Sequence, residues 1–460
     1  MDLIYDVKDK PKFSELIAFS FQQLLAIMAA TIAVPAVVGN GMTASAALFG
    51  AGVGTIVYQL FTKFRSPVFL GSSFAFLGSM FAAFAGATSM SLGYVGLILG
   101  AVFAGLVYVV LAICVKISGV NWINKLMPAV VIGPTVAIIG LSLAGNAVGD
   151  MLKIDGAAVA SPHVALICGL VTLFVVIICS VFGKKMARLV PFIIGIMSGY
   201  AVALIFTVIG NATGNDALKV IDLAPFQALV ADGFGLKTLF TIPEFTFLEA
   251  FKGVSEITPA YVGAIAVAYV PVAFVVFAEH IADHKNLSTI INKDLLTDPG
   301  LARTLLGDGV GSMVGAFFGG CPNTTYGESV GCVAITKNAS VVSITGAAVM
   351  AILVAFIAPL VAFLDSIPAC VMGGVCLTLY GFIAVSGLKM VQEVDLNDNR
   401  NLFVVSAILI AGIGNLTVSF GDVTITSVAC ALILGILVNT VVRRKQHPEG
   451  KEHEPQQVIK

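Results

Sequence analysis

The sequence predicts an all-α polytopic membrane protein, and three observations lead to this fold class. Of the 460 residues, 58% are hydrophobic and only 11% are charged, and the mean hydropathy is +1.00. About a quarter of an average globular chain is charged, so neither a soluble enzyme nor a disordered chain fits. The apolar stretches are continuous and about twenty residues long, as in membrane helices and unlike barrel strands. The net charge of −1 argues against nucleic acid as a partner.

Fourteen apolar segments are the predicted spans. Their approximate limits are 14–38, 45–62, 67–87, 91–115, 126–147, 161–182, 189–210, 259–282, 300–320, 321–336, 339–364, 367–388, 401–415 and 424–442. Two of them, segments 3 (67–87) and 10 (321–336), are poor continuous helices. Segment 3 holds Pro67 and Gly71, and segment 10 holds Pro322 near its start, and both residue types disfavour helix.

A stripe of glycines marks segment 9. Gly307, Gly311, Gly315 and Gly319 recur every four residues, which places them on one face of a helix. Small residues at this spacing allow helix backbones to approach closely in a membrane. We therefore predict that this face packs tightly against another helix.

The positions of Lys and Arg predict the orientation, because cytoplasmic loops carry an excess of both. With the N-terminus inside and fourteen crossings, 21 of the 25 Lys and Arg residues lie on the cytoplasmic side. The four on the outside are Lys153, Lys219, Lys237 and Lys252. One span more or fewer in the middle of the chain would remove this bias. We expect a multi-pass protein of the cell (plasma or inner) membrane with both termini in the cytoplasm.

The longest polar gap divides the chain into two halves of seven spans, which must have opposite orientations because seven is odd. The expected units are a first inverted repeat (1–210), an outer connecting loop (211–258), a second inverted repeat (259–442) and a cytoplasmic tail (443–460). Segments 3 and 10 are the third span of each half. Interrupted segments at matching positions of inverted repeats indicate a transporter's binding site, since irregular backbone in a bilayer must be satisfied by protein or a wet cavity.

Four carboxylates are candidates for chemistry, since ionisable groups inside spans are costly and usually functional. Glu279 ends a long apolar run, Asp283 lies one helical turn later on the same face, and Glu328 follows the break in segment 10. For Asp283, a carboxylate at the cytoplasmic end of a helix remains an alternative. Asp308, about one turn inside segment 9, is expected to be an interfacial residue near Arg303.

No Lys or Arg lies deep in any predicted span, although an anion carrier would need a positive group or a helix N-terminus at its site. Carboxylates suit a cation, or a neutral ligand with several N–H donors. They also suit protons, because burial favours the neutral form of a carboxyl group. The residues alone therefore predict transport of a donor-rich neutral solute coupled to a proton.

Several stretches resemble the nucleobase–ascorbate transporter family of uracil and xanthine permeases, and most closely its bacterial uracil–proton symporters. The resemblance extends from about Phe13 to Val442. Its main stretches are Gln22-Gln23-Leu24-Leu25-Ala26, Gly71-Ser72-Ser73-Phe74-Ala75-Phe76, Ala278-Glu279-His280, Lys293-Asp294-Leu295-Leu296 and Pro322-Asn323-Thr324-Thr325-Tyr326-Gly327-Glu328.

The resemblance implies a fold in which spans 1–4 and 8–11 form a core domain and spans 5–7 and 12–14 form a gate domain. Short strands in segments 3 and 10 would pair antiparallel near the bilayer centre. The resemblance also implies a homodimer through the gate domain, and no cofactor beyond the proton as coupling ion.

The resemblance also assigns roles to individual residues. Glu279 and Glu328 match the carboxylates that hold the nucleobase, and the backbone N–H groups of Phe74 and Gly327 match those that meet its carbonyl groups. The flanking positions are Tyr326, beside the pocket, and Tyr380, which matches a tyrosine on the gate side.

Three positions depart from the family pattern. Ser329 stands where the signature has Asn, Gln23 stands where many members have His, and Asp283 stands where the well-known uracil member has His. We therefore expect Asp283, rather than a histidine, to share the proton with Glu279.

These inferences predict a secondary transporter, not an enzyme, that imports a pyrimidine base, with uracil as the favoured substrate, in symport with a proton. A purine permease for xanthine or urate is the first alternative, although purine-type members more often carry Gln at the position of Glu328. An anion carrier on the same fold and a passive channel are the others. A channel would not concentrate solute when a proton gradient is imposed.

Overall fold

The computed structural model describes residues 3–119, 128–153, 161–184, 186–231, 233–420 and 423–443, which are mostly helical. The helices are α1 (Phe13–Val38), α2 (Ala44–Phe61), α3 (Leu77–Ala85), α4 (Met90–Ser118), α5 (Ala129–Ser142), α6 (Ala144–Met151), α7 (Pro162–Phe182), α8 (Met186–Leu189), α9 (Pro191–Thr213), α10 (Ala224–Val230), α11 (Leu236–Leu239), α12 (Thr246–Gly253), α13 (Pro259–Ile291), α14 (Leu301–Gly319), α15 (Gly327–Thr336), α16 (Val341–Val354), α17 (Ala358–Asp365), α18 (Ala369–Gln392), α19 (Asn399–Ile413) and α20 (Ser427–Arg443). The strands are β1 (Leu70–Ser72), β2 (Asn323–Thr325), β3 (Val418–Phe420) and β4 (Val423–Ile425).

Eight helices within the described ranges are long and apolar enough to cross a membrane, when α5 and α6 are taken together. A polytopic helical membrane protein is thus confirmed, while the count of fourteen spans stays a prediction. The predicted segment 339–364 is two helices, α16 and α17, because Pro359 begins a new helix in its first turn.

The connection 211–258, predicted as an outer loop, contains three short helices, α10 to α12. Aromatic packing holds α12 in place, since the ring of Phe247 stacks on that of Phe317 in α14 at 4.8 Å. Ser91 also donates a hydrogen bond of 2.6 Å to Glu249. Because this stretch is polar, the sequence did not predict these helices. Contacts with residues distant in sequence stabilise them.

The two interrupted segments meet as a pair of antiparallel strands. Leu70 of β1 lies opposite Thr325 of β2, and Ser72 lies opposite Asn323. The backbone N–H of Ser73 extends the ladder to the carbonyl oxygen of Pro322 at 2.9 Å. The pairing confirms the expected strands and satisfies backbone groups that would otherwise lack partners inside a membrane.

The glycine stripe of α14 packs against α2, as predicted. A Cβ atom on Gly54 would lie 2.7 Å from the carbonyl oxygen of Gly311, and one on Gly50 would lie 2.4 Å from that of Gly315. Real Cβ atoms do not approach backbone oxygens so closely, so side chains at these positions would separate the two helices. This contact fixes α14 against the strand pair.

Helix packing falls into two groups. In one group α2 packs on α14 and α16, and α4 packs on α13 and α14; in the other, α18 packs on α5, α6 and α7, and α19 packs on α5 and α20. The assignment of these groups to a core and a gate domain, and the boundaries of the two repeats, stay predictions.

The N-terminal segment is tied to the loop that follows α15. The N–H of Ile4 donates to the carbonyl oxygen of Lys337 at 2.8 Å, and the N–H of Ala339 donates to that of Tyr5 at 2.9 Å. Lys293 Nζ, just beyond α13, lies 2.5 Å from Asp6 Oδ2 and holds the pKa of Asp6 below its usual value. We call residues 4–9 the N-terminal strap, because they join the ends of two site helices.

Replacing Gly71 by Ala is expected to destabilise the strand pair, because the added Cβ would lie 2.3 Å from the ring of Tyr326. Overpacking of this kind costs about 1–3 kcal/mol. Gly145→Ala is the matched control, since Gly145 has open space around its Cβ position and should be neutral or slightly stabilising. Thermal unfolding in detergent measures both, and equal melting temperatures would contradict the expectation.

Candidate functional site

Two half-helices begin at the strand pair and direct their N-termini to one place. After β1 the chain makes a short 3₁₀ turn, Phe74–Phe76, and continues as α3, while α15 begins at Gly327 directly after β2. The first N–H groups of a helix have no acceptor within it, and they carry a partial positive charge. The break in each segment therefore presents backbone donors at the centre of the protein.

A cavity of about 440 Å³ lies in front of these N-termini. All the predicted site residues except Tyr380 line it. They are Phe74, Glu279, Asp283, Tyr326, Gly327 and Glu328. The opposite wall is apolar and comes from α5 and α18, with Val136, Ile139, Leu379 and Phe382. Clefts of about 300–1,000 Å³ with a few convergent polar groups are typical of small-molecule sites.

Tyr380, predicted as a gate contact, is absent from the residues that line the cavity. Its ring is buried and meets the ring of Phe74 edge to face, with the centroids 5.7 Å apart. Tyr380 therefore lies behind Phe74, where it fixes the ring that faces the cavity. Its role in gating stays a prediction.

The three carboxylates differ in their partners. Asp283 accepts a hydrogen bond of 2.8 Å from Thr325 Oγ1, at the end of β2. Within the described ranges, no other side chain donates a hydrogen bond to Glu279 or Glu328, and no Lys or Arg forms an ion pair with any of the three. Glu279 and Glu328 thus keep acceptor oxygens free for a ligand.

Tyr326 holds the strand pair rather than offering its hydroxyl to the cavity. Its hydroxyl donates to the carbonyl oxygen of Ser72 at 2.7 Å, and its ring covers Gly71. Only 4% of the side chain is exposed. The residue therefore borders the cavity with its hydroxyl already bonded within the strand pair.

Arg188 is a cavity residue that the sequence did not indicate. It lies at the mouth with Ser180 and Met390, and its side chain is exposed. The Lys and Arg pattern had placed Arg188 in a cytoplasmic loop, without any sign that this loop borders the site. The cavity therefore extends toward the predicted cytoplasmic side.

The expectation for Asp308 was wrong. Its side chain is 1% exposed, and the ion pairs of the described residues include none between it and Arg303, which is an exposed residue. Asp308 Oδ2 instead lies 2.7 Å from His280 Nδ1. Distance along the helix misled the prediction, because Asp308 faces α13 and is buried against it.

Two of the three departures from the family pattern contact each other. Gln23 Nε2 donates to Ser329 Oγ at 2.5 Å, and the N–H of Phe69 donates to the same oxygen at 3.1 Å. Gln23 lies on α1 and Ser329 in the first turn of α15, so the pair links α1 to the half-helix that carries Glu328.

Gln23→Ala and Ser329→Ala are expected to be strongly non-additive, because each removes the same buried bond. Contacting residues show coupling energies of about 0.5–3 kcal/mol. Unfolding midpoints of the wild type, both single variants and the double variant give this coupling. A double variant whose loss equals the sum of the two single losses would rule out the contact. Thr345→Ala, on α16 away from the pair, is a control for helix-surface hydroxyl loss.

The chain is similar to known proteins along most of its length. The family model described as Permease family, the xanthine and uracil permease model, matches residues 14–420. The chain belongs to this permease family. A uracil permease of Bacillus caldolyticus is 38% identical over 442 residues, covering 95% of this chain and 94% of the relative. A uracil permease of Escherichia coli (strain K12) is 34% identical over 441 residues, covering 95% of this chain and 93% of the relative.

A solved structure has a fold similar to that of this permease. The transmembrane domain of the cyanobacterial bicarbonate transporter BicA superposes with a TM-score of 0.61 at 14% identity, covering 95% of this chain and all of that one. At such low identity the likeness extends to the fold alone. The family assignment confirms the resemblance seen in the sequence.

Proposed function

We propose that this permease is a secondary transporter that imports uracil together with a proton. The observation that carries the proposal is the pairing of two half-helix N-termini with the carboxylates of Glu279 and Glu328 around one cavity. Uracil has two ring N–H donors and two carbonyl acceptors. Carboxylate oxygens complement the donors, and the backbone N–H groups at Phe74 and Gly327 complement the acceptors. Relatives named uracil permease, similar along nearly the whole chain, support the same substrate.

The charges around the cavity support coupling to a proton. Glu279, Asp283 and Glu328 line one cavity without an ion pair to Lys or Arg among the described residues. Three ionised carboxylates would leave unbalanced charge in a poorly solvated region, which is costly. Proton binding relieves this cost, and a neutral base can then be accommodated. Loss of the proton to the cytoplasm would favour release of the base.

In the proposed transport cycle, the cavity opens alternately to the two sides of the membrane. We infer that the cavity, whose mouth is bordered by Arg188 and Met390, is open to the cytoplasm in this conformation. The group of helices around α13 and α14 would move against the group around α5 and α18. Both chain termini are inferred to be cytoplasmic, and a homodimer through the second group is inferred from the family.

Uptake of labelled uracil into proteoliposomes, with acid outside, tests the function. We expect accumulation that collapses with a protonophore and that excess unlabelled xanthine does not inhibit. Strong inhibition by xanthine would favour a purine permease. Equilibration without accumulation would favour a channel.

Glu279→Gln and Glu328→Gln are each expected to lower uracil affinity about 10- to 100-fold, since a hydrogen bond to a charged group contributes about 1.5–3 kcal/mol. The amide keeps the size of the side chain and loses one acceptor. Asp298→Asn, an exposed carboxylate paired with Arg65 at 2.8 Å, is the matched control and should bind like the wild type. Binding is measured by competition with labelled uracil; an affinity equal to the wild type in both site variants would contradict the roles given to them.

Asp283→Asn is expected to change the pH dependence of uracil uptake, because we propose that Asp283 shares the proton with Glu279 one turn away. The amide also preserves an oxygen that can accept from Thr325. Initial uptake rates between acid and alkaline pH, at constant uracil, provide the measurement. A profile that superposes on that of the wild type would remove Asp283 from the proton path.

A further inference from the structure

A second group of titratable side chains lies behind the strand pair, outside the residues that line the cavity. His280 of α13 and Asp308 of α14 are 0% and 1% exposed, and His280 Nδ1 lies 2.7 Å from Asp308 Oδ2. Thr324 Oγ1 donates to the same carboxylate oxygen at 3.3 Å. The proposed function does not use this pair.

The hydrogen-bond partners of His280 bear on which of its two ring nitrogens carries a hydrogen. His280 Nε2 lies 3.0 Å from Thr304 Oγ1, and the Thr304 hydroxyl donates to the carbonyl oxygen of Leu301 at 3.0 Å. A hydroxyl has one hydrogen, so when Thr304 donates it to Leu301, Thr304 accepts from His280 and Nε2 carries a hydrogen. A neutral ring then has a lone pair at Nδ1, which would face the carboxylate of Asp308 without a hydrogen between them.

With Thr304 donating to Leu301, the 2.7 Å contact requires a bound proton. Either Asp308 is protonated and donates to a neutral ring, or the ring is an imidazolium that donates to the carboxylate. Both descriptions contain one exchangeable proton between Nδ1 and Oδ2. The other oxygen, Asp308 Oδ1, is buried without a hydrogen-bond partner among the described residues, so loss of the proton would leave a poorly solvated charge.

Strand β2 connects this pair to the cavity. Successive side chains of a strand point to opposite faces. Thr324 accordingly contacts Asp308 on one face, while Thr325 contacts Asp283 on the other. A change at Asp308 that moves Thr324 would thus reach Asp283 through a single peptide unit.

Other titratable groups surround the pair. On α13 they are Glu279, Asp283 and His284; α2 contributes Tyr58, α4 contributes Tyr108 and α15 contributes Glu328. His284 is held by its own bonds, with Nδ1 2.8 Å from the carbonyl oxygen of His280 and Nε2 2.8 Å from the Tyr58 hydroxyl. It positions the backbone of His280 and does not extend the proton contact.

We propose that His280 and Asp308 form a second proton-binding site of the transporter, which exchanges its proton during the cycle and acts on Asp283 through strand β2. This inference rests on the proposed proton-coupled transport and adds a second proton to it. Thr304 is a positioning residue, since it acts by fixing the hydrogen on Nε2.

The test is the number of protons moved per base, measured in proteoliposomes with an internal pH-sensitive dye and labelled uracil in the same vesicles. Asp308→Asn places a permanent N–H donor opposite Nδ1 and cannot release it. We expect one proton fewer per base in this variant, and an unchanged ratio in the surface control Asp298→Asn. The same ratio in Asp308→Asn and wild type would overturn the second site while leaving the proposed function intact.

Thr304→Val provides an independent measurement if Asp308→Asn does not fold. Without the hydroxyl, the ring hydrogen can move to Nδ1 and donate to an ionised Asp308, so the state without the extra proton becomes accessible. We expect the alkaline limb of the uptake profile to move to lower pH in this variant. An unmoved limb would overturn the role of Thr304 and the second site. A wild-type protein that moves no protons with uracil would overturn the proposed function and this inference together.

Discussion

Backbone hydrogen bonding between two three-residue strands is the interaction on which the rest of the structure depends. Inside a bilayer, each backbone N–H or C=O group without a partner costs several kcal/mol. Pairing β1 with β2 removes this cost at the point where two membrane segments stop being helical. Only because the breaks are stabilised can α3 and α15 begin in the interior and direct their N-termini at a common cavity.

Two chemical environments meet at the strand pair. The cavity has half-buried carboxylates with free acceptor oxygens, and beside it lies a buried histidine–aspartate contact, with Thr324 bordering both. Glu279 and His280 are neighbours in sequence, yet Glu279 lines the cavity and His280 contacts Asp308 of α14. A single helix, α13, therefore carries residues of both environments.

Much of the site could be predicted because its signals are local. Glu279 stands out against its apolar run, and Glu328 follows a Pro and Thr break that no continuous span would contain. Other features depend on contacts between distant positions. Gln23 and Ser329 are 306 residues apart and His280 and Asp308 are 28 apart, so no periodicity reveals them. Helix α12 was missed for the same reason, because aromatic packing on α14 rather than local sequence orders it.

The N-terminal strap has a consequence for how this permease can be handled. Residues 4–9 are hydrogen-bonded to the loop that follows the Glu328 half-helix, and Asp6 reaches Lys293 at the end of the Glu279 helix. The N-terminal strap is thus connected to both helices that carry the ligand-facing carboxylates. An affinity tag fused there, or a shortened amino terminus, would disturb these hydrogen bonds and the ion pair. A fluorophore attached to the strap would report on the movement of both helices from outside the bilayer.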